Sequence, residues 1–157
     1  MTLVGIRGGG DGEQAELARL LLGELKARGL SVSVLAYAGA SADIDIPGKD
    51  SYEHRRAGAR EVLAVSRLRW ALVHEAGVAD NHPRPDLDAL LARLKPVDYV
   101  LAPGITENAR ITLDLAAGSD AVQAAHGNRP ATVFRLDMAG KIADFIVTSP
   151  AEMHSIP

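Results

Sequence analysis

Asp43-Ile44-Asp45-Ile46-Pro47-Gly48-Lys49-Asp50-Ser51-Tyr52-Glu53-His54-Arg55-Arg56-Ala57-Gly58-Ala59, in this 157-residue chain, has too regular a residue pattern for a casual loop. Acids alternate with isoleucines from Asp43 to Ile46. In an extended backbone both carboxylates would point one way and both isoleucines the other. Pro47-Gly48 then turns the chain. Asp50 or Ser51 is placed to accept from free backbone N–H groups at the start of a helix, and Glu53 falls in its first turn, where a carboxylate suits the positive helix end. Arg55 and Arg56 follow within that helix. Composition alone reads the stretch as a strand end, a turn and a capped helix with solvated charges.

Outward from this stretch the chain alternates strand and helix signals. Residues 2–6 are short, branched and apolar, run into glycines, and predict a buried first strand. Over residues 13–28, Leu17, Leu20, Leu21 and Leu25 recur at helical spacing, and Gly29 supplies a stop. Residues 31–36 predict a second strand, completing a βαβ unit. A helix is expected over residues 52–59, then two short strands over 61–65 and 70–74 that can pair. Residues 81–85 read as a polar loop. Asp86 is placed to cap a helix through Leu94, with Leu87, Leu90, Leu91 and Leu94 on one face. Residues 97–102 predict a buried strand before Pro103-Gly104. Residues 111–116 and 132–136 predict two more strands, and residues 141–149 a last helix that Pro150 ends. Strands alternating with helices point to a mostly parallel α/β sheet.

At 157 residues and 47% hydrophobic, the chain suits one well-buried domain over residues 1–157. A net charge of −3, with no basic stripe interleaved with aromatics, argues against a nucleic-acid partner. The lack of cysteine excludes disulfides, thiolate catalysis and cysteine-based metal sites. No apolar run reaches the roughly 18 residues of a membrane helix, and residues 1–7 lack the apolar core of a signal peptide. No membrane partner is expected, and a cytoplasmic setting is. His54, His74, His82, His126 and His154 are scattered without ligand spacing, so no metal site is expected from them.

Residues 43–59 resemble the signature of the molybdopterin-guanine dinucleotide biosynthesis protein B (MobB) family, D-x-D-x-P-G-K-D-S-Y-x-x-R-x-A-G-A. The likeness extends to Glu24-Leu25-Lys26-Ala27-Arg28-Gly29-Leu30, to Arg69-Trp70-Ala71-Leu72 and to Ile142-Ala143-Asp144-Phe145-Ile146. The resemblance implies a P-loop NTPase-like α/β three-layer sandwich with a mostly parallel sheet. It implies an accessory role in molybdenum-cofactor biosynthesis, with GTP and magnesium as ligands. The implied partner is a molybdenum cofactor guanylyltransferase or another molybdenum-cofactor protein, and the implied assembly a homodimer.

In that family the first strand leads into a Walker A loop, G-x-x-x-x-G-K-[ST]. Its glycines let backbone N–H groups surround phosphates, its lysine reaches the β/γ-phosphates and its hydroxyl binds magnesium. Here the place is taken by Gly5-Ile6-Arg7-Gly8-Gly9-Gly10-Asp11-Gly12-Glu13-Gln14. With Gly12 as the last loop glycine, Glu13 stands for the lysine and Gln14 for the Ser/Thr, and no shift of register recovers Gly-Lys-[ST]. Exchanging a cation for an anion removes an attraction to phosphate and adds a repulsion. Each is about 4 kcal/mol for unit charges roughly 4 Å apart at an effective dielectric of about 20. Asp11 and Glu13 are expected to occupy the anion site from within, with residues 11–14 resembling a capping box. Arg7 is the nearby guanidinium that can return part of the lost charge.

Other departures fall in the same family site. The acid of the Walker B E-G pair is replaced by Pro103-Gly104, and Asp98, at the start of that strand, reads as a boundary residue. The His-rich segment that follows the second strand in the family is Tyr37-Ala38-Gly39-Ala40-Ser41 here, with no metal-ligating side chain. Gly118-Ser119-Asp120 reads as a turn with an Asp cap, or as the family's late segment in which an aspartate reads guanine.

Two functions follow. One is the accessory of cofactor maturation that the resemblance implies, with GTP binding weakened or lost and at most a weak GTPase activity. The other is a non-hydrolysing, degenerate P-loop adaptor that binds a partner protein or a pterin ligand through residues 43–56. The candidate binding residues are Arg7, Gly8, Gly9, Gly10 and Gly12 in the glycine run, with Asp43, Asp45, Lys49, Asp50, Ser51 and Arg55 in the signature. No catalytic residue is assigned.

Overall fold

Thr2–Gly8 forms β1, and its Val4 and Ile6 are fully buried, as their branched apolar side chains require. The structure is a computed structural model and describes residues 1–36, 44–74 and 86–148. The further elements are α1 (Asp11–Ala27), β2 (Val32–Val34), α2 (Asp50–Arg56), β3 (Glu61–Val65), β4 (Trp70–His74), α3 (Leu87–Leu91), β5 (Tyr99–Pro103), β6 (Ile111–Leu115), β7 (Ala121–His126), β8 (Thr132–Arg135) and α4 (Ala139–Thr148). The segment at 37–41, Asp43, the loop at 81–85, His82, Ser149, Pro150 and His154 lie outside the described residues. The chain forms two compact units, one of residues 1–37 with 94–157 and one of residues 38–93.

The first unit holds a six-stranded sheet ordered β2-β5-β1-β6-β7-β8. The neighbours β2, β5, β1 and β6 pair in parallel, whereas β7 runs antiparallel to β6 and β8. This is the mostly parallel α/β sheet that the alternation of elements predicts. Register explains the core: Val4 lies beside Leu101 and Ile111, Ile6 beside Leu113, and Leu113 beside Ala124. These rows share one face and form one buried cluster with Leu17, Leu21 and Leu25 of α1 and Ile142 and Ile146 of α4. The four-residue spacing on α1 places its leucines on a single stripe.

The stop expected at Gly29 is a two-bond helix end, in which Gly29 N–H donates to the Lys26 carbonyl (2.9 Å) and Leu30 N–H to the Leu25 carbonyl (3.2 Å). Arg28 then ties α1 to α4, donating to Glu24 Oε2 and Asp144 Oδ1, both at 2.7 Å. At the other end of the sheet, Asp98 Oδ2 accepts from the Ser31 amide (2.7 Å) and hydroxyl (2.6 Å), which joins the chain before β2 to the start of β5. Asp98 is thus the boundary residue the sequence suggests.

Several boundaries differ from expectation. β7 was not foreseen: Ala121-Val122-Gln123-Ala124-Ala125-His126 is alanine-rich, and alanine favours strands weakly. Pairing with β6 and β8 and burial of Val122 and Ala124 override that preference. Gly118-Ser119-Asp120 forms the turn between β6 and β7. The side chain that caps it is Ser119, whose Oγ accepts from Ala121 N–H at 3.0 Å, rather than Asp120. α4 begins two residues before the expected Lys141, after a 3-10 turn at Leu136–Met138.

The second unit contains α2, the antiparallel β3-β4 hairpin and α3. The hairpin has the strand bounds and pairing that the sequence predicts. Asp86 caps α3 as expected, its Oδ1 accepting from Asp88 N–H at 3.1 Å. However, α3 ends at Leu91, short of Leu94, and buries none of its leucines. Among the described residues no helix is long and apolar enough to cross a membrane.

Candidate functional site

The parallel strands bring the end of β1 and the end of β5 side by side, the edge at which open α/β sheets bind ligands. The glycine run follows β1 there, with Gly8 at φ +75° and Gly9 at φ +55°. Gly10 is the N-cap of α1, so the third helical residue is Glu13. Glu13 folds back, and its Oε2 accepts from Gly10 N–H at 2.6 Å, the short distance of a charge-assisted bond. The capping contact therefore joins Gly10 and Glu13, not residues 11–14. Glycine has no side chain to complete a capping box, so only the Glu13 half is present. A Cβ at Gly9 would lie 2.6 Å from the same carboxylate oxygen; glycine is needed there for the carboxylate to sit over the loop.

Gln14 also turns onto the loop, its Nε2 donating to the Gly8 carbonyl at 3.0 Å. Gly12 sits in the first turn of α1. Arg7 does not reach toward the loop as a free cation: its Nε is 2.8 Å from Asp114 Oδ2, its register partner on β6. That pairing arises from β1–β6 register alone and left no local signal in the sequence. Pro103 ends β5, and Gly104 N–H donates to the Ile6 carbonyl at 2.9 Å.

The ligands implied by resemblance are GTP and magnesium, and these groups fit them poorly. A carboxylate rests where an anion would be received, the cation site of the loop holds that same acid, and Pro103 offers no oxygen ligand from its side chain. Among the described residues no group of three or more His, Asp or Glu side chains could hold a metal ion.

In the second unit the signature becomes a chain of local devices. Pro47 and Gly48 form a tight turn: Lys49 N–H donates to the Ile46 carbonyl at 3.2 Å, and Gly48 takes φ +81°. Pro at the second and Gly at the third turn position suit this geometry. Asp45 Oδ1 accepts from Ile46 N–H at 2.9 Å and from the Ser51 hydroxyl at 3.3 Å. Its Oδ2 lies 3.6 Å from Arg55 Nε, and the two side chains are 9% and 19% exposed. The carboxylate thereby ties the turn to α2. Ala57-Gly58-Ala59 closes that helix, with Gly58 N–H on the Arg55 carbonyl (2.9 Å) and Ala59 N–H on the His54 carbonyl (3.1 Å).

Two expectations change here. The N-cap of α2 is Lys49, and no side chain caps the helix; Ser51 spends its hydroxyl on Asp45 instead. Residues 44–46 form no strand, and Ile44 and Ile46 are 75% and 62% exposed while Asp45 is inward. Asp43 lies outside the described residues. Lys49, Asp50, Glu53, His54 and Arg56 are exposed. Sequence reasoning missed Tyr52, although the i, i+3 and i+4 spacing that brings side chains together on a helix was visible. Arg55 and Arg56 lie 5.0 and 5.7 Å from its ring centroid. Arg56 also donates to its hydroxyl at 3.1 Å, which raises the guanidinium pKa further.

The hairpin beside α2 carries a second feature. Leu63 pairs with Leu72 and Val65 with Trp70, so all four project from one face. Leu63, Val65 and Trp70 are 58%, 72% and 66% exposed.

Comparison with known proteins places these features. A solved structure of molybdopterin-guanine biosynthesis protein B matches 92% of this chain and 96% of its own with a TM-score of 0.64, at 20% identity. At that identity the likeness supports the fold. The molybdopterin-guanine dinucleotide biosynthesis adapter protein of Escherichia coli (strain K12) is 36% identical over 101 residues, covering 62% of this chain and 56% of the relative. The protein of the same name from Haemophilus influenzae (strain ATCC 51907 / DSM 11121 / KW20 / Rd) is 31% identical over 110 residues, covering 68% and 58%. The alignments thus span little more than half the length of these relatives. The family model described as molybdopterin guanine dinucleotide synthesis protein B matches residues 1–129, and the chain belongs to the MobB family.

Proposed function

We propose that this chain is an accessory protein of molybdenum-cofactor maturation that works as an adaptor, with nucleotide binding weakened or lost. It acts in the cytoplasm, as a homodimer and a single functional domain, and engages a molybdenum cofactor guanylyltransferase or another protein of that pathway. The observation that carries this reading is the contrast between the two motifs. Among the described residues the signature is tied together by Asp45 with Ser51 and Arg55, whereas the phosphate loop holds an acid in its cation position.

The internal ties identify what the signature offers outward. Pro47, Gly48, Asp45, Ser51, Ala57 and Gly58 build the turn, the helix and its stop. Lys49 and Arg56 remain on the surface as positive groups for an anionic partner surface or a pterin phosphate. The exposed apolar face of the hairpin supports self-association, because a two-stranded ribbon cannot cover its own face.

Co-elution of the purified chain with a molybdopterin guanylyltransferase, with and without magnesium-GTP, tests the reading. Complex formation that does not need nucleotide, and that fails in a Lys49→Glu/Arg56→Glu variant, is expected. A complex seen only with magnesium-GTP would overturn the adaptor assignment in favour of a GTP-dependent accessory.

A further inference from the structure

We infer that the phosphate loop of this chain is closed by its own Glu13, whose carboxylate takes the backbone donor that an incoming phosphate needs, so that an anion enters only by displacing it. The inference rests on the reading of this loop as weakened for nucleotide and gives that weakness a second cause beside the lost lysine. Glu13 bonds the Gly10 amide at 2.6 Å. The same oxygen rests where a side chain on Gly9 would be. Gln14 is bonded to the Gly8 carbonyl at 3.0 Å, so both residues standing for the lysine and hydroxyl are folded onto the loop. The 17-residue α1 aims its positive end at this position, and the Glu13 carboxylate meets it. Asp114 beside Gly8 holds the Arg7 guanidinium in an ion pair, so that cation is not free to replace the lost lysine.

Calorimetry on the whole chain with magnesium pyrophosphate, and separately with magnesium-GTP, tests this through three variants. Glu13→Gln removes the charge but keeps an acceptor for the Gly10 amide. Glu13→Ala removes both. Glu13→Asp keeps the charge on a side chain one methylene too short to hold the same bond. Self-closure predicts the tightest binding for Ala, at least tenfold above Gln, with Asp above the wild type. It also predicts that exchange of the Gly10 amide with solvent is faster in Ala and Asp than in the wild type and Gln. Equal affinities for Gln and Ala, with Asp equal to wild type, would overturn the inference, because charge alone would then account for the loop. The same holds if no variant gains binding. Tight magnesium-GTP binding by the wild type would overturn both the inference and the reading beneath it.

Discussion

The two units of this chain are stabilised in opposite ways. In the first, Leu17, Leu21, Leu25, Ile142 and Ile146 are buried to within 1% and meet a sheet whose rows are filled on the same face. In the second, neither α2 nor α3 buries a residue, and Leu63, Val65, Leu68 and Trp70 each stand more than half exposed. The first unit packs its helices onto a filled core, and its glycine loop is bonded by its own Glu13 carboxylate. The second is organised by turns, a helix stop and the Asp45 ties, and it directs apolar and charged groups outward. Surface left unsatisfied by a fold is where a partner gains most, which is why the proposed adaptor role is assigned to the second unit.

That contrast breaks most readily at the core. Leu21→Ala is expected to cost about 2–5 kcal/mol, the usual range for a fully buried leucine, while Leu63→Ala on the hairpin stays within about 1 kcal/mol. Urea unfolding measures both, and similar costs would abolish the distinction between the units. Trp70→Glu should weaken self-association at least tenfold, about 1.4 kcal/mol, in sedimentation equilibrium while leaving the circular dichroism of the fold unchanged. A variant that associates as well as the parent would remove the hairpin face from the proposed dimer.

Asp45→Ala sharpens the comparison from the polar side. Losing the hydroxyl and guanidinium ties should lower the local stability of α2 by about 1–3 kcal/mol. Faster amide exchange is expected at Glu53 and Ala57, with Leu21 and Leu25 unaffected. Uniform exchange across both regions would show that the carboxylate does not act locally.

The smallest effect is a pH dependence in the first unit. The Ser31 hydroxyl and amide hold the Asp98 carboxyl below its ordinary value. A depressed folded pKa contributes stability that is present above the unfolded value, about 3.9, and is lost as pH falls through the folded one. The stability gap between the wild type and Asp98→Asn should therefore be full near neutral pH and narrow in acid. A gap that widens on acidification would contradict the assignment.

The strands and helices with strong periodicity were legible in the chain itself. α1 was marked by its leucine spacing and Gly29, and the β3-β4 hairpin by two short apolar runs. β7 was not, because its alanines signal strand only when a neighbouring β6 edge and a core are there to receive them. In the candidate site, the replacement of the loop lysine by Glu13 was plain in the sequence. The choice of Gly10 as its partner was not, since that depends on where α1 begins. The Arg7–Asp114 pair spans 107 positions and could come only from the register of β1 with β6. Tyr52, in contrast, could have been found from helical spacing alone.

By itself the sequence determined the family signature, the alternation that makes a mostly parallel sheet, and the chemical identity of the groups at the loop. These are local properties, set by residue type, turn chemistry and spacing of 2 or 3.6 residues. Tertiary structure decided which partners the site side chains reach: Glu13 the Gly10 amide, Arg7 the Asp114 carboxylate, and Asp45 the Ser51 hydroxyl and Arg55. Side-chain pairing depends on strand register and on the residue at which a helix starts, and a shift of one position redirects every side chain along the element.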